Sequence, residues 1–377
     1  MITVFIFWLF LISTLLQCCY LFYFFSRILF FKDTKSDKIR IREQPVSIII
    51  CAKNETQNLK NNIPTVLSQK YHNKDGECLF EVIVVDDAST DNTQEIITAL
   101  QLQFSNLRLI RIPPDANRNL KGKKFALSKG VEASKHDFLL FTDADCMPNS
   151  LQWLNSMILP LLQGKELVAG YSGYYKHKGW LNAFIRWETV HTLLQYSTYL
   201  LAGKPYMAVG RNLACTKSAF LKAQSSKIWN ELPSGDDDLL VNIIANKHNT
   251  ALVLSNEAFT YTEAKADFNA WVHQKQRHLS TGKYYNLDTK LLLGMYALSH
   301  AIMWISFFLM LFFGNYQIAL AVFSIRIVFL LIVFSATTKK INETRLIYFL
   351  PIFDLVWMVY NFVFSPFIFL KNKQNWK

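Results

Sequence analysis

Three short acidic stretches in this chain of 377 residues have the residue types of a phosphate- and metal-handling site. Asp86-Asp87 closes the apolar run FEVIVV (80–85), and Asp143-Ala144-Asp145 follows DFLLFT (137–142). Carboxylates two apart after a strand can both turn toward one hard divalent cation, leaving positions for water and substrate phosphates. The third stretch, Asp236-Asp237-Asp238, lies in SGDDDLL (234–240). A carboxylate crowded by other acids near a metal site can be tuned to accept a proton, which is the work of a general base. Each stretch also fits an ordinary structural role: a helix cap, a solvated turn, or acids favouring a helix dipole. A DxD-type phosphatase would carry Thr or Val two residues after its second Asp, and Met147 stands there instead. KGKKFAL (121–127) lacks the spacing of a P-loop.

The elements around these acids give them a common address. Val46–Cys51 (VSIIIC) is a β-branched run without alternation, the pattern of a strand buried on both faces. Residues 80–85 repeat it, and 107–112 and 137–142 read as a third and a fourth strand, with helical stretches from Asp91-Asn92-Thr93 to about Leu102 and from Gly122 to Ala133 between them. Strands alternating with helices imply an α/β fold with a mostly parallel sheet, in which ligands bind beyond the carboxyl ends of the strands. Two such ends carry paired acids.

The flanks read as membrane segments. The chain is 51% hydrophobic, 15% aromatic and 18% charged, with 13 glycines. Met1–Ser26 holds no charged side chain, and a span needs only about 20 apolar residues. It lacks the basic start and short core of a cleaved signal, so an anchor is expected. Lys32, Lys35, Lys38, Arg40 and Arg42, against Asp33 and Asp37, place residue 32 onward in the cytoplasm. Leu291–Ile325 is free of Asp, Glu, Lys and Arg, and divides near Gly314-Asn315 into helices over roughly 291–313 and 316–338. Leu346–Leu370, interrupted by Pro351, Asp354 and Pro366, either spans, leaving Lys371, Lys373 and Lys377 outside, or is re-entrant. Arg326 and Asp354 are costly in hydrocarbon and should pair in the bundle interior, with a lipid phosphate as the alternative partner for Arg326. Trp180–Leu201 fits a buried core helix and an interfacial helix equally well.

These boundaries divide the chain into an anchor (1–31), a cytoplasmic catalytic domain that includes interfacial helices (32–285), and a carboxyl-terminal membrane region (286–377). The net charge of +12 suits lipid headgroups or a phosphorylated substrate. Nucleic acid is disfavoured, since no basic helix or aromatic RNA-binding motif is present. The six cysteines form no CxxC pair and are expected as reduced thiols.

Six segments in order resemble the membrane-bound family 2 glycosyltransferases of GT-A fold: SIIICAKNE (47–55), VVDDASTDNT (84–93), KGKKFALSKG (121–130), FTDADCMP (141–148), SGDDDLL (234–240) and QKQRH (274–278). The flanks resemble those of ceramide glucosyltransferases and of cellulose or hyaluronan synthases. The resemblance implies a Rossmann-like, mostly parallel sheet domain in the cytoplasm, with one amino-terminal and two to three carboxyl-terminal transmembrane helices. It implies that Ala52, Glu55, Asp86 and Asp87 hold the nucleotide base and ribose, and that Lys123 lies near its phosphates. It implies that Asp143 and Asp145 bind Mg²⁺ or Mn²⁺, with Asp143 also on the donor, and that Asp237, beside Asp236, is the base. Gln274 and Arg277 match the QxxRW signature, whose Arg reaches the diphosphate, and His278 stands where that signature has Trp beside the acceptor. Arg211, in GRNLA (210–214), is a further acceptor-site candidate. His273 and His278 as metal ligands are the weaker reading beside solvated histidines.

The function so implied is inverting transfer of a sugar from a nucleotide-diphosphate sugar, UDP-sugar first, to a membrane lipid or glycolipid in cell-envelope biogenesis. The alternatives are a processive polysaccharide synthase and a catalytically silent nucleotide-sugar-binding membrane protein.

Overall fold

The computed structural model describes residues 1–33, 44–232 and 235–368. Ser234, the basic residues 35, 38, 40 and 42, Asp37 and the terminal lysines 371, 373 and 377 lie outside the described residues.

The chain forms two compact units. One, built from the described residues within 44–176 and 205–265 together with Asp33, contains ten strands: β1 Val46–Ala52, β2 Phe80–Asp87, β3 Leu107–Ile112, β4 Phe138–Asp143, β5 Met147–Pro148, β6 Leu167–Ala169, β7 Ser172–Tyr174, β8 Leu213–Thr216, β9 Thr250–Leu252 and β10 Thr260–Thr262. The main sheet has the order β3-β2-β1-β4-β8-β6-β9, and β5, β10 and β7 form a small second sheet. β1 pairs in parallel with both β2 and β4, and β2 with β3, whereas β8 runs antiparallel to β4 and β6. This is the mostly parallel α/β arrangement read from the alternating elements.

All residues of β1 and β2 are buried, as an unbroken β-branched run requires when helices cover both faces. The helix Lys123–Ala133 lies close on β1 because Gly130 has no side chain: a Cβ there would stand 2.6 Å from Ile49 Cγ2. Chain order runs outward from β1 through β2 to β3, then returns to β4 on the other side of β1. The crevice at that reversal, outside the carboxyl ends of β1 and β4, is where open α/β sheets receive ligands.

The other unit comprises, among the described residues, 1–32, 177–204 and 266–368. Among the described residues, four of its helical segments are long and apolar enough to cross a membrane: Ile2–Phe30, Leu287–Phe313, Tyr316–Lys340 and Thr344–Ile368. Phe10, Met303, Trp304, Phe307 and Met310 pack into one apolar cluster among them. Arg326 donates to both carboxylate oxygens of Asp354, at 2.5 and 3.0 Å, and is fully buried, so the expected pairing is observed. His300, Trp304 and Gln17 complete that network.

The helix Trp180–Leu201 belongs to this unit and is largely buried, with Phe184 against Trp271, Phe353 and Tyr360. The burial expected of a core helix is observed. Arg186 is paired with Glu343, and Glu188 with Lys275.

Candidate active site

The sheet's carboxyl edge gathers the acids. Ala52, the last residue of β1, stands in register with Asp86 of β2, and Cys51 with Asp143 of β4. Beyond β1 and β2 the backbone turns sharply, and the non-glycine residues Asn54 and Ala88 take φ of 55° and 57°. Such conformations carry strain and persist only when neighbours hold them. Here the two turns hold each other: the Asn54 N–H donates to Ser89 Oγ at 2.9 Å, and Asn54 Oδ1 accepts from the Thr90 N–H at 2.8 Å.

Asp91, read as part of one helix start, caps two. Its carboxylate accepts from the Thr93 N–H and from the Thr56 N–H, each at 3.1 Å, tying together the helices Thr56–Leu67 and Thr93–Gln101. Burial works against its charge, but the Thr93 and Thr56 side chains, and then their N–H groups, hold the carboxyl below its usual range.

Asp86 and Asp87 are buried. Asp86 accepts from the Ser89 N–H at 3.0 Å, and Asp87 is paired with Arg118 at 2.6 Å. Glu55, also buried, accepts from Asn58 Nδ2 at 2.5 Å. Arg118 lies against the Phe125 ring as well. Nothing in the local pattern of RNLKGKK marks Arg118, because its partner is 31 residues away in the chain and meets it only through the sheet.

On the far side of β1, Lys123 ties two acidic stretches together. Its ammonium is paired with Asp143 Oδ1 and lies 3.3 Å from Asp236 Oδ2. Burial alone would lower its pKa, yet Asp143 and Asp236 together raise it well above the usual lysine value. Lys123, Gly210, Asp236 and Asp237 line one small cavity with Phe141 and Leu240.

Asp237 precedes the helix Asp238–Ile244. Its carboxylate accepts the Gly210 N–H at 2.7 Å and the Asp238 N–H at 2.8 Å. Gly210 permits this approach, since a Cβ there would stand 3.0 Å from Asp237 Cβ and 3.1 Å from Oδ2. Burial, then the charges of Asp236 and Asp238, push the Asp237 carboxyl up to about 7 against the pull of those two amides. Asp236 moves the other way: burial opposes its charge, but Lys123 and Lys124 hold it ionised below the usual range. Carboxyls whose surroundings drive them apart in this way are an arrangement that acid–base chemistry can use. Asp238 is buried and accepts the Leu239 N–H.

Lys124, next to Lys123, is fully buried and donates to the Trp229 carbonyl at 2.7 Å, with its ammonium over the same indole. Burial brings its pKa down to about 8 despite the three nearby acids. Arg211 lies over the Tyr174 ring at 4.7 Å. Burial opposes its charge, and Tyr174, Cys146, Asp145 and Asp143 favour it, so it is electrostatically linked to the acids at β4. The segment bearing Gly210 and Arg211 is pinned by buried Asn212, which donates to the carbonyls of Tyr171 and Ala258 and accepts from Trp153 Nε1.

The divalent ion the resemblance calls for can be tested against these donors. Asp143 and Asp145 are both half-buried at the end of β4, and Asp143 already holds a cation. Among the described residues no group of three or more His, Cys, Asp and Glu could hold a metal alone. The pair therefore suits an ion that completes its shell with water and substrate phosphates. His273 and His278 belong to no such group.

Gln274, Arg277 and His278 lie on the helix Phe268–Leu279, in the unit that holds the apolar helices. Asp267 caps it by accepting the N–H groups of Asn269 and Ala270. Gln274 and Arg277 are partly buried and His278 is exposed. Lys275, within the same signature, is paired with buried Glu188.

Two family profiles match the chain: glycosyl transferase family 2 over residues 47–219, and glycosyl transferase family group 2 over residues 143–363. Glycosyltransferase AglE of Haloferax volcanii is 32% identical over 126 residues, which are 33% of this chain and 38% of that protein. Poly-beta-1,6-N-acetyl-D-glucosamine synthase of Staphylococcus aureus (strain COL) is 27% identical over 126 residues, 33% of this chain and 28% of that one. The matched segment thus spans well under two thirds of either relative. Mannosyltransferase PcManGT from Pyrobaculum calidifontis, solved with GDP-Man and Mn²⁺, has a TM-score of 0.58 at 16% identity, covering 96% of this chain and 99% of that one. The two share a fold, and in this chain the GT-A-like sheet is accompanied by apolar helices.

Proposed function

The chain belongs to the family 2 glycosyltransferases, and from that premise we propose that it is an inverting, metal-dependent enzyme moving one sugar from a nucleoside-diphosphate donor to a membrane-lipid acceptor. The observation that carries this reading is the pair of opposed carboxyls: Asp237 near 7 in the grip of the Gly210 and Asp238 amides, and Asp236 held ionised by Lys123.

Asp237 takes the proton of the acceptor hydroxyl as that oxygen attacks the anomeric carbon from the face opposite the leaving diphosphate. The carbon–oxygen bond to the nucleotide breaks, and the anomeric configuration inverts. Asp86, Asp87, Glu55 and the Ala52 backbone receive the base and ribose, with Arg118 holding the Asp87 carboxylate in place. Lys123 and Arg277 offset the diphosphate's developing charge. Asp143 and Asp145 would hold Mg²⁺ or Mn²⁺, which supplies Lewis-acid neutralisation of the same leaving group. Gln274, His278 and Arg211 border the acceptor, and the catalytic unit lies on the cytoplasmic face.

The four apolar segments and the net charge of +12 favour an acceptor embedded in or resting on the bilayer. Likeness to the staphylococcal synthase keeps polymer formation in view, and product length separates the two. The test incubates membranes carrying the protein with a panel of radiolabelled nucleotide sugars and Mn²⁺ or Mg²⁺, beside Asp237→Asn. Label in the lipid extract, lost in the variant, is expected. Label in high-mass polymer would replace the single-addition reading. Turnover equal in both proteins would remove Asp237 as the base.

A further inference from the structure

We propose that Lys123 is a built-in counter-cation that competes with the divalent ion for Asp143 and, once displaced, leaves its charge on Asp236 beside the base. This rests on the reading of Asp143 and Asp145 as the metal pair.

The geometry supplies the argument. Lys123 is the first residue of its helix, directly after Gly122, whose φ of 62° fixes the direction in which the chain enters it. Its side chain is only 13% exposed, so the ammonium has little water to solvate it. What compensates for that loss is Asp143 on one side and Asp236 on the other. Asp143 and Asp236 come from separate segments, and this one side chain is the charge that joins them. An oxygen of Asp143 already engaged by an ammonium is a poorer ligand for a second cation, because the two positive charges repel. A site that attracts Mn²⁺ through Asp143 and Asp145 must therefore first overcome Lys123.

Two consequences follow. Without a donor present, the wild-type protein holds metal more weakly than its two carboxylates would alone. Once the ion is in place, the freed ammonium has Asp236 as its remaining partner, so occupancy at β4 is felt next to Asp237. Lys123 is then a positioning residue whose effects on metal and donor have opposite sign: it weakens the first and strengthens the second.

The experiment uses the full chain in detergent and titrates Mn²⁺ alone, with the free ion followed by electron paramagnetic resonance. The proteins are wild type, Lys123→Met, Lys123→Gln and Asp145→Asn. A competing unit charge at about 4 Å sets the scale, and we expect Mn²⁺ to bind at least roughly tenfold more tightly to Lys123→Met than to wild type. The methionine variant should also melt lower than wild type in chelator and regain that difference when Mn²⁺ is added. Should it fail to fold, Lys123→Gln retains hydrogen-bond donors without the charge, and its affinity must move in the same direction. Unchanged or weaker Mn²⁺ binding in the folded variant, while wild type binds and Asp145→Asn does not, overturns the competition and leaves the metal pair standing. Absence of binding above the Asp145→Asn level in every protein overturns the metal reading and this inference with it.

Discussion

The pKa of Asp237 makes a quantitative demand on the pH profile. A general base must be unprotonated, so kcat/KM, which reports the free enzyme, should fall on the acid side as the carboxyl takes up its proton. With that carboxyl at about 7, about one molecule in ten is ready at pH 6 and about one in a hundred at pH 5, so kcat/KM should lose about a factor of ten per unit. A carboxyl left at its ordinary 3.8 would show no loss over that range. Burial is the main cause of the shift and Asp236 the next, so Asp236→Asn should move the acid limb to lower pH. Loss of that partner also leaves Lys123 with less negative charge to offset, which acts in the same direction. Stability carries the matching sign. A carboxyl raised on folding adds stability that is complete below 3.8 and lost as pH rises through about 7, so Asp237→Asn should flatten part of the melting-temperature decline between those values. The assay is initial rate against pH from 5 to 9 at subsaturating donor, with melting curves in the same buffers. An acid limb below pH 5, or one unmoved by Asp236→Asn, refutes the assignment.

Gly210→Ala places a methyl 3.0 Å from Asp237 Cβ and should lower kcat by roughly tenfold or more, with donor affinity by calorimetry unchanged. Arg118→Ala removes the partner of buried Asp87 and should weaken donor binding by about 1–3 kcal/mol, read as a raised KM at similar kcat. In the apolar helices, Arg326→Leu or Asp354→Leu alone leaves a buried charge unpaired and should cost about 3–5 kcal/mol in detergent unfolding, while the double leucine variant recovers most of it. Recovery in the double variant supports a structural pair, whereas a double variant as unstable as either single one would deny it. His278→Trp should leave the melting temperature and donor KM within error and change the acceptor's KM; a lower melting temperature would place His278 in the helix's seat.

The four strands β1 to β4 were legible because they announce themselves locally, whereas the short strands β5 to β10 carry no such run and were not read. VSIIIC and FEVIVV are unbroken β-branched runs, and the acids at their ends occur where the chain must turn. The apolar helices were legible for the same reason, since uncharged runs of that length exceed any strand and are too apolar for a surface helix. The Arg326–Asp354 pair was legible because two lone charges in apolar runs have few other partners, but the pairings within the sheet unit and on the helix Phe268–Leu279 stayed hidden. Lys123 and Asp236 are 113 residues apart, Arg118 and Asp87 are 31, and Glu188 and Lys275 are 87. Asn212 is a neutral residue within GRNLA, yet it holds that segment through three hydrogen bonds to other elements. Asp91 gave a helix-start signal, but that its carboxylate serves a second helix depends on how β1 and β2 end side by side. The tuning of Asp237 was equally out of reach, since it depends on the Gly210 amide and on which neighbour Lys123 engages.

The helix Phe268–Leu279 narrows what the histidine at 278 can mean. At 3.6 residues per turn, positions 271, 275 and 278 form one stripe, because i, i+4 and i+7 return to nearly the same face. Trp271 on that stripe is buried against Phe184, Tyr360 and Phe364, and Lys275 is paired with Glu188, itself buried. Those two residues set the helix's rotation about its own axis. His278 continues the stripe one turn further, where it is exposed. An indole at 278 is therefore not needed to seat this helix, for Trp271 already supplies the aromatic anchor. Gln274 and Arg277 lie on the adjacent stripe, so the rotation fixed by Trp271 and Lys275 also fixes where those two side chains leave the helix. The departure from QxxRW thus falls on the exposed member of the signature rather than on the residues that seat the helix, and its effect belongs to what the last turn touches.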